Sequence, residues 1–133
     1  MQDINERIRA PQRVGSIGFV IERRDDDRVV SRMPVTEGVL NPFGTVQAGA
    51  LIWLADVTAS VLAIGGDRVG PDGQGFPLAV DLHTTLLANQ RDGEITAEAR
   101  FVRRGRRVIV IRTVVRGGAD RLLAEVTSTH IPA

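Results

Sequence analysis

Two patterns of hydrophobic residues divide the chain. From Ala48 to Ile64, apolar residues lie on every side of a helical wheel, which predicts about four turns of helix buried on all sides. After this helix, apolar and polar residues alternate with a period of two, which predicts strands. Four such runs follow, LAVDLHTTLL, EITAEARFVRR, RVIVIRTVV and RLLAEVTSTHI, separated by the turn sequences NQRDG, RRGRR and RGGAD.

Two shorter strand signals precede the helix. Residues 14–22 and 28–33 favour β structure and flank the charged turn RRDDD. Short connections favour antiparallel neighbours. About six antiparallel strands and one buried helix predict an α+β fold, with a curved sheet wrapped around the helix in a single domain over residues 1–133. The run RVIVIRTVV has few polar positions, so we expect an apolar outer sheet face that pairs with another subunit.

Composition narrows the function classes. A chain of 133 residues is long enough for one hydrophobic core. Its 17 arginines and 16 acidic residues give a net charge of +1, and so small a charge does not indicate nucleic-acid binding. Cysteine is absent, which excludes disulfides and thiol nucleophiles. The first 13 residues lack the apolar core of a secretion signal, and Asp56, Thr58 and Ser60 interrupt the helix too often for a membrane span. We therefore expect a cytoplasmic protein that contacts neither nucleic acid nor membrane.

The segment that follows the helix is rich in glycine and proline. Residues 65–77 contain five glycines and two prolines, which predicts the end of the helix and a loop that is either a lid or a simple connection. Its GPDGQG sequence lacks the glycine spacing of a dinucleotide site and follows a helix rather than a strand. His83 and His130 are isolated, so we expect structural roles for both and no metal site.

Asp56 places a carboxylate within the apolar helix. Such a group must find hydrogen-bond partners or reach a cavity. One interpretation is a structural carboxylate bonded to the backbone or to Ser60, one turn later. The other is a catalytic group, because perturbed carboxylates cluster at functional sites.

The loop before the helix favours the catalytic interpretation of Asp56. Small residues between Gly44 and Gly49 leave backbone N–H groups free at the positive end of the helix dipole. Such a terminus can polarise a carbonyl oxygen, as acyl transfer requires. Gln47, Ala48 and Gly49 are therefore candidate oxyanion contacts.

The segment NPFGTVQAGALIWLAD resembles the signature of hotdog-fold acyl-CoA thioesterases of the phenylacetate-degradation and 4-hydroxybenzoyl-CoA types. That signature reads as Asn, a Gly, a His-Gly-Gly triplet and an acidic residue on the central helix. The later runs AVDLHTTLL and GEITAEARFVRRGRRVIVIRTVV are similar to the strands that follow this helix in the family. The resemblance implies a hotdog fold and a thioester hydrolase that needs no cofactor beyond the coenzyme A of its substrate.

The resemblance also implies roles for individual residues. Asp56 matches the catalytic carboxylate, which acts as nucleophile or general base, and Ala48 matches the glycine whose amide binds the thioester oxygen. Asn41 matches the polar residue that places the water or the carboxylate, and Ser60 matches a position that assists the water. The chain departs from the family at Gln47, where a histidine is usual, and glutamine cannot titrate near neutrality.

Candidate substrate contacts flank these positions. Phe43 and Trp53 could line an acyl pocket, although Trp53 fits core packing equally well. In the turn RRGRR, Arg104 and Arg106 could grip the phosphates of coenzyme A, while the alternative is a solvated hairpin turn.

The spacing of the site predicts a dimer. Ala48 and Asp56 are eight residues apart, which corresponds to ~12 Å along one helix. A reacting thioester carbon must lie about 3 Å from both its nucleophile and its oxyanion donors. Two helices paired antiparallel across a twofold axis would bring the two groups together in two shared sites. We expect an obligate homodimer, and the resemblance implies further pairing into a homotetramer.

Three functions are compatible with this sequence. The first is hydrolysis of an aryl- or fatty-acyl-CoA thioester. The second is a non-catalytic hotdog protein that binds an acyl group or an acyl-CoA, which Gln47 favours. A hydratase or dehydratase is disfavoured, because the His-plus-acid pair expected for proton abstraction is missing.

Overall fold

A sheet of six antiparallel strands packs against one long helix in the computed structural model, which describes residues 3–9, 14–65 and 70–132. This confirms the α+β class and the six strands. No helix within these ranges has the length and hydrophobicity to cross a lipid bilayer. The helices are α1 (Ile4–Arg9) and α2 (Ala48–Ile64), and the strands are β1 (Val20–Arg24), β2 (Arg28–Pro34), β3 (Pro77–Leu86), β4 (Glu94–Arg104), β5 (Ile109–Arg116) and β6 (Leu122–Pro132), with 3-10 turns at Glu37–Val39 and Gly118–Asp120.

The strand order in the sheet is β1-β2-β4-β5-β6-β3. The short NQRDG connection therefore does not join neighbours, since β3 lies at the edge beside β6 while β4 lies between β2 and β5. Our expectation of a neighbouring pair is wrong at this connection. The chain leaving β3 instead pairs with the loop before α2, where the Val46 N–H donates to the Gln90 carbonyl and the Asn89 side chain donates to the Val46 carbonyl.

The first strand is shorter than its sequence pattern suggests. Residues 14–19 lie outside any strand, and β1 begins at Val20. Gly15 lies so close to Gly38 that a Cβ on Gly15 would come within 2.8 Å of the Gly38 nitrogen. The Thr36 hydroxyl also donates to the Ser16 carbonyl at 2.6 Å. These contacts hold the segment against the 3-10 turn after β2 rather than in the ladder.

The core consists of two apolar clusters under the two halves of α2. The first includes Leu51 and Leu54 of the helix, and the second includes Ala59, Leu62 and Ala63. Buried polar side chains lie along the boundary between the clusters or beside it. These are Ser31, Thr58, Thr113, Ser128 and His130.

The central helix is buried on one face in the single chain. The prediction of burial on all sides is wrong, because the sheet covers only the side that carries residues such as Leu51, Leu54 and Leu62. The remaining stripe, with Asp56 at its border, stays partly open to solvent. Its members are Gly49, Ile52, Trp53, Asp56, Val57, Ser60, Val61 and Ile64.

The outer face of the sheet is charged. Glu98 accepts hydrogen bonds from Arg28 and Arg100, and Arg112 lies 3.8 Å from Glu125 on the next strand. The expected apolar face over β5 is therefore wrong, since Arg112 and Arg116 lie on this face beside Val110 and Val114. The hydrophobicity of this face therefore no longer supports subunit pairing through it.

Candidate active site

Two free backbone amides mark the start of α2. Gln47 is the N-cap residue, and its own N–H donates to the Val39 carbonyl at 2.8 Å. The Ala50 N–H donates to the Gln47 carbonyl at 3.0 Å. Within the part of the chain that the structure describes, the N–H groups of Ala48 and Gly49 have no acceptor, and both residues are exposed. The helix thus presents two donors at the positive end of its dipole, as an oxyanion site requires.

The loop before α2 is held by Asn41. Its Oδ1 accepts hydrogen bonds from the backbone N–H of Phe43 (2.9 Å) and of Thr45 (3.1 Å), and its Nδ2 donates to the Thr45 hydroxyl at 2.9 Å. The structure therefore places Asn41 as a loop-forming residue, and its role in placing water stays a prediction. The exposed Gln47 side chain makes only a 3.5 Å contact with the Leu40 carbonyl, which leaves it free to meet a ligand.

Asp56 lies half-buried at the border of the open helix stripe. Among the described residues, no group forms a hydrogen bond or ion pair with its carboxylate, and Ser60 likewise makes no side-chain hydrogen bond. The structural interpretation required a bond to Ser60 or to the backbone, and the structure shows neither. Gly49 precedes Asp56 by seven residues, so both lie on the same stripe.

The two aromatic candidates differ in their surroundings. Trp53 lies one turn before Asp56 on the open stripe, and its ring meets Phe19 edge-on with centroids 5.4 Å apart. Phe43 is 56% exposed on the loop, and its carbonyl accepts a hydrogen bond from Arg91. Trp53 therefore packs in the fold and still borders the site, whereas Phe43 is solvated in the single chain.

The arginine-rich turn lies at the rim of a cavity. Arg104 is tied to the fold, because its guanidinium lies 4.5 Å from the Phe101 ring centroid and donates to the Asp26 carbonyl at 3.1 Å. Arg106 is exposed and has no side-chain partner in the described chain. The cavity has a volume of about 410 Å³ and is lined by Gly75, Pro77, Arg104, Arg106, Ile109 and Pro132.

The chain is similar to several esterases and thioester hydrolases in sequence. No family model matches it. A putative esterase of Deinococcus radiodurans is 40% identical over 85 residues, which cover 63% of this chain and half the length of that relative. A 1,4-dihydroxy-2-naphthoyl-CoA hydrolase of Listeria monocytogenes is 29% identical, over 81% of this chain and 85% of the relative.

Solved structures agree with these relatives. A thioesterase of Staphylococcus aureus superposes with a TM-score of 0.79 at 25% identity, over 86% of this chain and 92% of that one. The chain therefore has the hotdog fold of these thioesterases. A hypothetical thioesterase of Streptococcus pneumoniae solved with coenzyme A has the same fold, with a TM-score of 0.77 at 20% identity over 87% of this chain and 86% of that one.

His130, for which the sequence predicts only a structural role, lies close enough to Asp56 to feel its charge. His130 is fully buried on β6, and its Nε2 is hydrogen-bonded to the Ser128 hydroxyl at 2.8 Å. Burial lowers the pKa of His130, while the charge of Asp56 and the Pro77 carbonyl act in the opposite direction. The period-two pattern of β6 could have placed Ser128 and His130 on the inner face, but not near Asp56. His83, in contrast, is exposed on β3.

Within residues 3–9, 14–65 and 70–132, no three side chains of His, Cys, Asp or Glu come close enough to share a metal ion.

Proposed function

We propose that this hotdog-fold protein hydrolyses acyl-CoA thioesters as a homodimer. The observation that carries the proposal is that α2 combines two amides, at Ala48 and Gly49, with the carboxylate of Asp56, and none of these groups has a partner among the described residues. The names of the related hydrolase and thioesterases support the same reaction class.

In the proposed reaction, the thioester oxygen accepts hydrogen bonds from the Ala48 and Gly49 amides, which stabilise negative charge as it develops. Asp56 of the other subunit acts as nucleophile or as general base for water. The carbon–sulfur bond breaks, coenzyme A leaves as the thiol with one proton, and water supplies the oxygen of the released acid. Gln47 and Ser60 orient the water, and Asn41 holds the loop. No cofactor enters this reaction.

The spacing of two residues in a structurally similar thioesterase supports the role of Asp56. In the Staphylococcus aureus protein, solved variants carry alanine in place of a glutamine and of a glutamate fifteen positions further on. Asn41 precedes Asp56 by the same fifteen positions. An amide followed by an acid fifteen positions later therefore occurs in both chains.

The open surfaces of the single chain support the proposed dimer. The edge strand β3 exposes apolar side chains, and the open stripe of α2 runs beside the site. An unpaired edge with apolar side chains is unfavourable in water. A second copy would cover these surfaces and bring one helix start to the other subunit's Asp56. The exposed apolar residues of β3 are Leu78, Val80, Leu82 and Leu86. Further pairing into a tetramer stays a prediction.

The proposed substrate is an aryl- or fatty-acyl-CoA. Trp53 and Phe43 would contact the acyl group, because both lie beside the helix start or the carboxylate. Arg104 and Arg106 would bind phosphates of coenzyme A at the cavity rim through bidentate hydrogen bonds. The aryl substrate in the name of the Listeria hydrolase and the coenzyme A in the Streptococcus structure support this class.

A non-catalytic acyl-CoA-binding protein is the second candidate. Gln47 favours it, because an amide stands where the family usually has a titratable histidine. The exposed Gln47 side chain, with only its 3.5 Å contact to the Leu40 carbonyl, can bind a ligand without taking part in proton transfer.

Thiol release separates the two candidates. The purified protein is incubated with a panel of aryl- and fatty-acyl-CoAs and a thiol reagent. We expect release of coenzyme A from at least one substrate, and loss of at least about 100-fold in kcat in Asp56→Asn with an unchanged circular dichroism spectrum. Tight binding without release would favour the binding protein, and near-normal rates in Asp56→Asn would reject the role of this carboxylate.

A further inference from the structure

His130 is a fully buried histidine with one unsatisfied nitrogen. Nε2 is bonded to Ser128, whereas Nδ1 has no hydrogen-bond partner within the described residues. The Pro77 carbonyl lies close enough to raise the pKa of the ring but does not meet Nδ1 with hydrogen-bond geometry. A buried polar atom without a partner costs free energy, so its presence requires an explanation.

Packing of the helix places His130 under the side of α2 that carries Asp56. Ile109 is the direct cross-strand neighbour of His130, and it packs in one apolar cluster with Ala59 and Ala63. These alanines follow Asp56 by three and seven residues, so they lie on the same side of the helix. Their small side chains let this side of α2 approach the sheet closely. Asp56, at the border of the open stripe, therefore lies next to the helix face that packs over the part of the sheet that holds His130.

We propose that His130 is a positioning residue for Asp56: Ser128 holds the imidazole, and the Nδ1–H dipole of the neutral ring orients the carboxylate from beneath α2. When the Ser128 hydroxyl donates to Nε2, the single proton of the neutral ring resides on Nδ1, the nitrogen without a partner. A buried imidazole that holds a carboxylate in place acts through that carboxylate and does not touch the substrate. The kinetic part of this inference rests on the proposed hydrolase function, and the coupling of the two side chains does not.

The charges around the ring single out Asp56. Burial lowers the pKa of His130, so the imidazole is neutral at pH 7, and the charge of Asp56 acts against this shift. On β3, Asp81 pairs with Thr129 rather than with His130. On the β4–β5 turn, Arg104 and Arg106 line the cavity at Ile109 and Pro132.

A proton NMR titration tests the coupling without any activity measurement. The chain has two histidines, so the His83→Gln variant assigns both ring signals. We expect Asp56→Asn to lower the titration midpoint of His130, because the charge that raises it is removed, and to leave the exposed His83 unchanged. An unchanged His130 midpoint in Asp56→Asn would overturn the proposal.

Kinetics test the positioning role in the full-length protein. We expect kcat to fall about tenfold in His130→Gln and in Ser128→Ala, with KM within about twofold and a shifted pH profile of kcat/KM. A folded His130→Gln with wild-type kcat and pH profile would overturn the role. If His130→Gln fails to fold, the His130 titration midpoint in Asp56→Asn decides whether the two side chains are coupled. Absence of thiol release in the wild type would contradict the hydrolase function alone, since the NMR shift does not depend on turnover.

Discussion

The hydroxyl groups of Ser31 on β2 and Thr58 on α2 are hydrogen-bonded to each other at the boundary between the two apolar clusters. Thr58 is also bonded to the Leu54 carbonyl of its own helix at 2.6 Å. The pair thus fixes the position of the central helix over the sheet with polar atoms that water cannot reach.

Removal of one member of this pair should destabilise the protein. Thr58→Val keeps the shape of the side chain but leaves the Ser31 hydroxyl buried and unbonded, so we expect a loss of about 2 kcal/mol in the free energy of unfolding. The Ser31→Ala, Thr58→Val double variant should lose less than the sum of the single variants. Urea denaturation measures all three, and strictly additive losses would contradict the buried bond.

Ala48→Pro should remove the oxyanion donor without disrupting the helix. Ala48 is the first helical residue, where proline is tolerated, and Gln47 already has the extended ψ of 136° that a following proline favours. We expect kcat to fall about 100-fold with little change in melting temperature. Ala48→Ser keeps the N–H and is the matched control. Equal activity in the two variants would exclude this amide.

Mixed subunits should reveal a shared site. Neither Ala48→Pro nor Asp56→Asn alone should hydrolyse the substrate at a useful rate. A heterodimer of the two variants has one site with both intact groups, so random exchange of subunits should restore about a quarter of wild-type activity. If both groups of one site came from the same chain, every site in the mixture would stay defective and no activity would return.

Arg106→Ala should weaken substrate binding and leave turnover unchanged. Arg106 is exposed at the cavity rim and holds no structural contact in the described chain, unlike Arg104. We expect KM for an acyl-CoA to rise about fivefold, with the difference from wild type shrinking at high salt. Arg112→Ala, on the outer sheet face, is the matched control. A raised KM in this control would point to a general charge effect.

Stability should fall in acid through His130. Burial lowers its pKa in the folded state below the ordinary value of 6.5. The unfolded chain therefore binds a proton first as the pH falls below about 6.5, and the free energy of unfolding decreases until the folded pKa is passed. Urea midpoints between pH 8 and pH 5 should decline more steeply in wild type than in His130→Gln, which cannot titrate. Parallel curves would contradict the shift.

The local patterns of the sequence determined most of the elements. The helix at Ala48–Ile64 and the strand at Glu94–Arg104 coincide with the runs that predicted them, because side-chain periodicity records which faces of an element are apolar. The same patterns showed the acid on the helix and the small residues at its start. The sequence patterns could not show that the sheet leaves one helix face open, because an apolar stripe has the same sequence pattern whether a sheet or a second subunit covers it.

The tertiary structure decided which residues meet. The order that places β3 beside β6 depends on how the chain passes the start of α2, and no short-range pattern records that path. The proposed coupling of His130 to Asp56 would have the same origin, because the two lie 74 positions apart and only the packing of α2 on the sheet, where Ala59 and Ala63 meet Ile109, can bring them together. Periodicity is a property of neighbours along the chain, whereas the site is assembled from neighbours across the sheet.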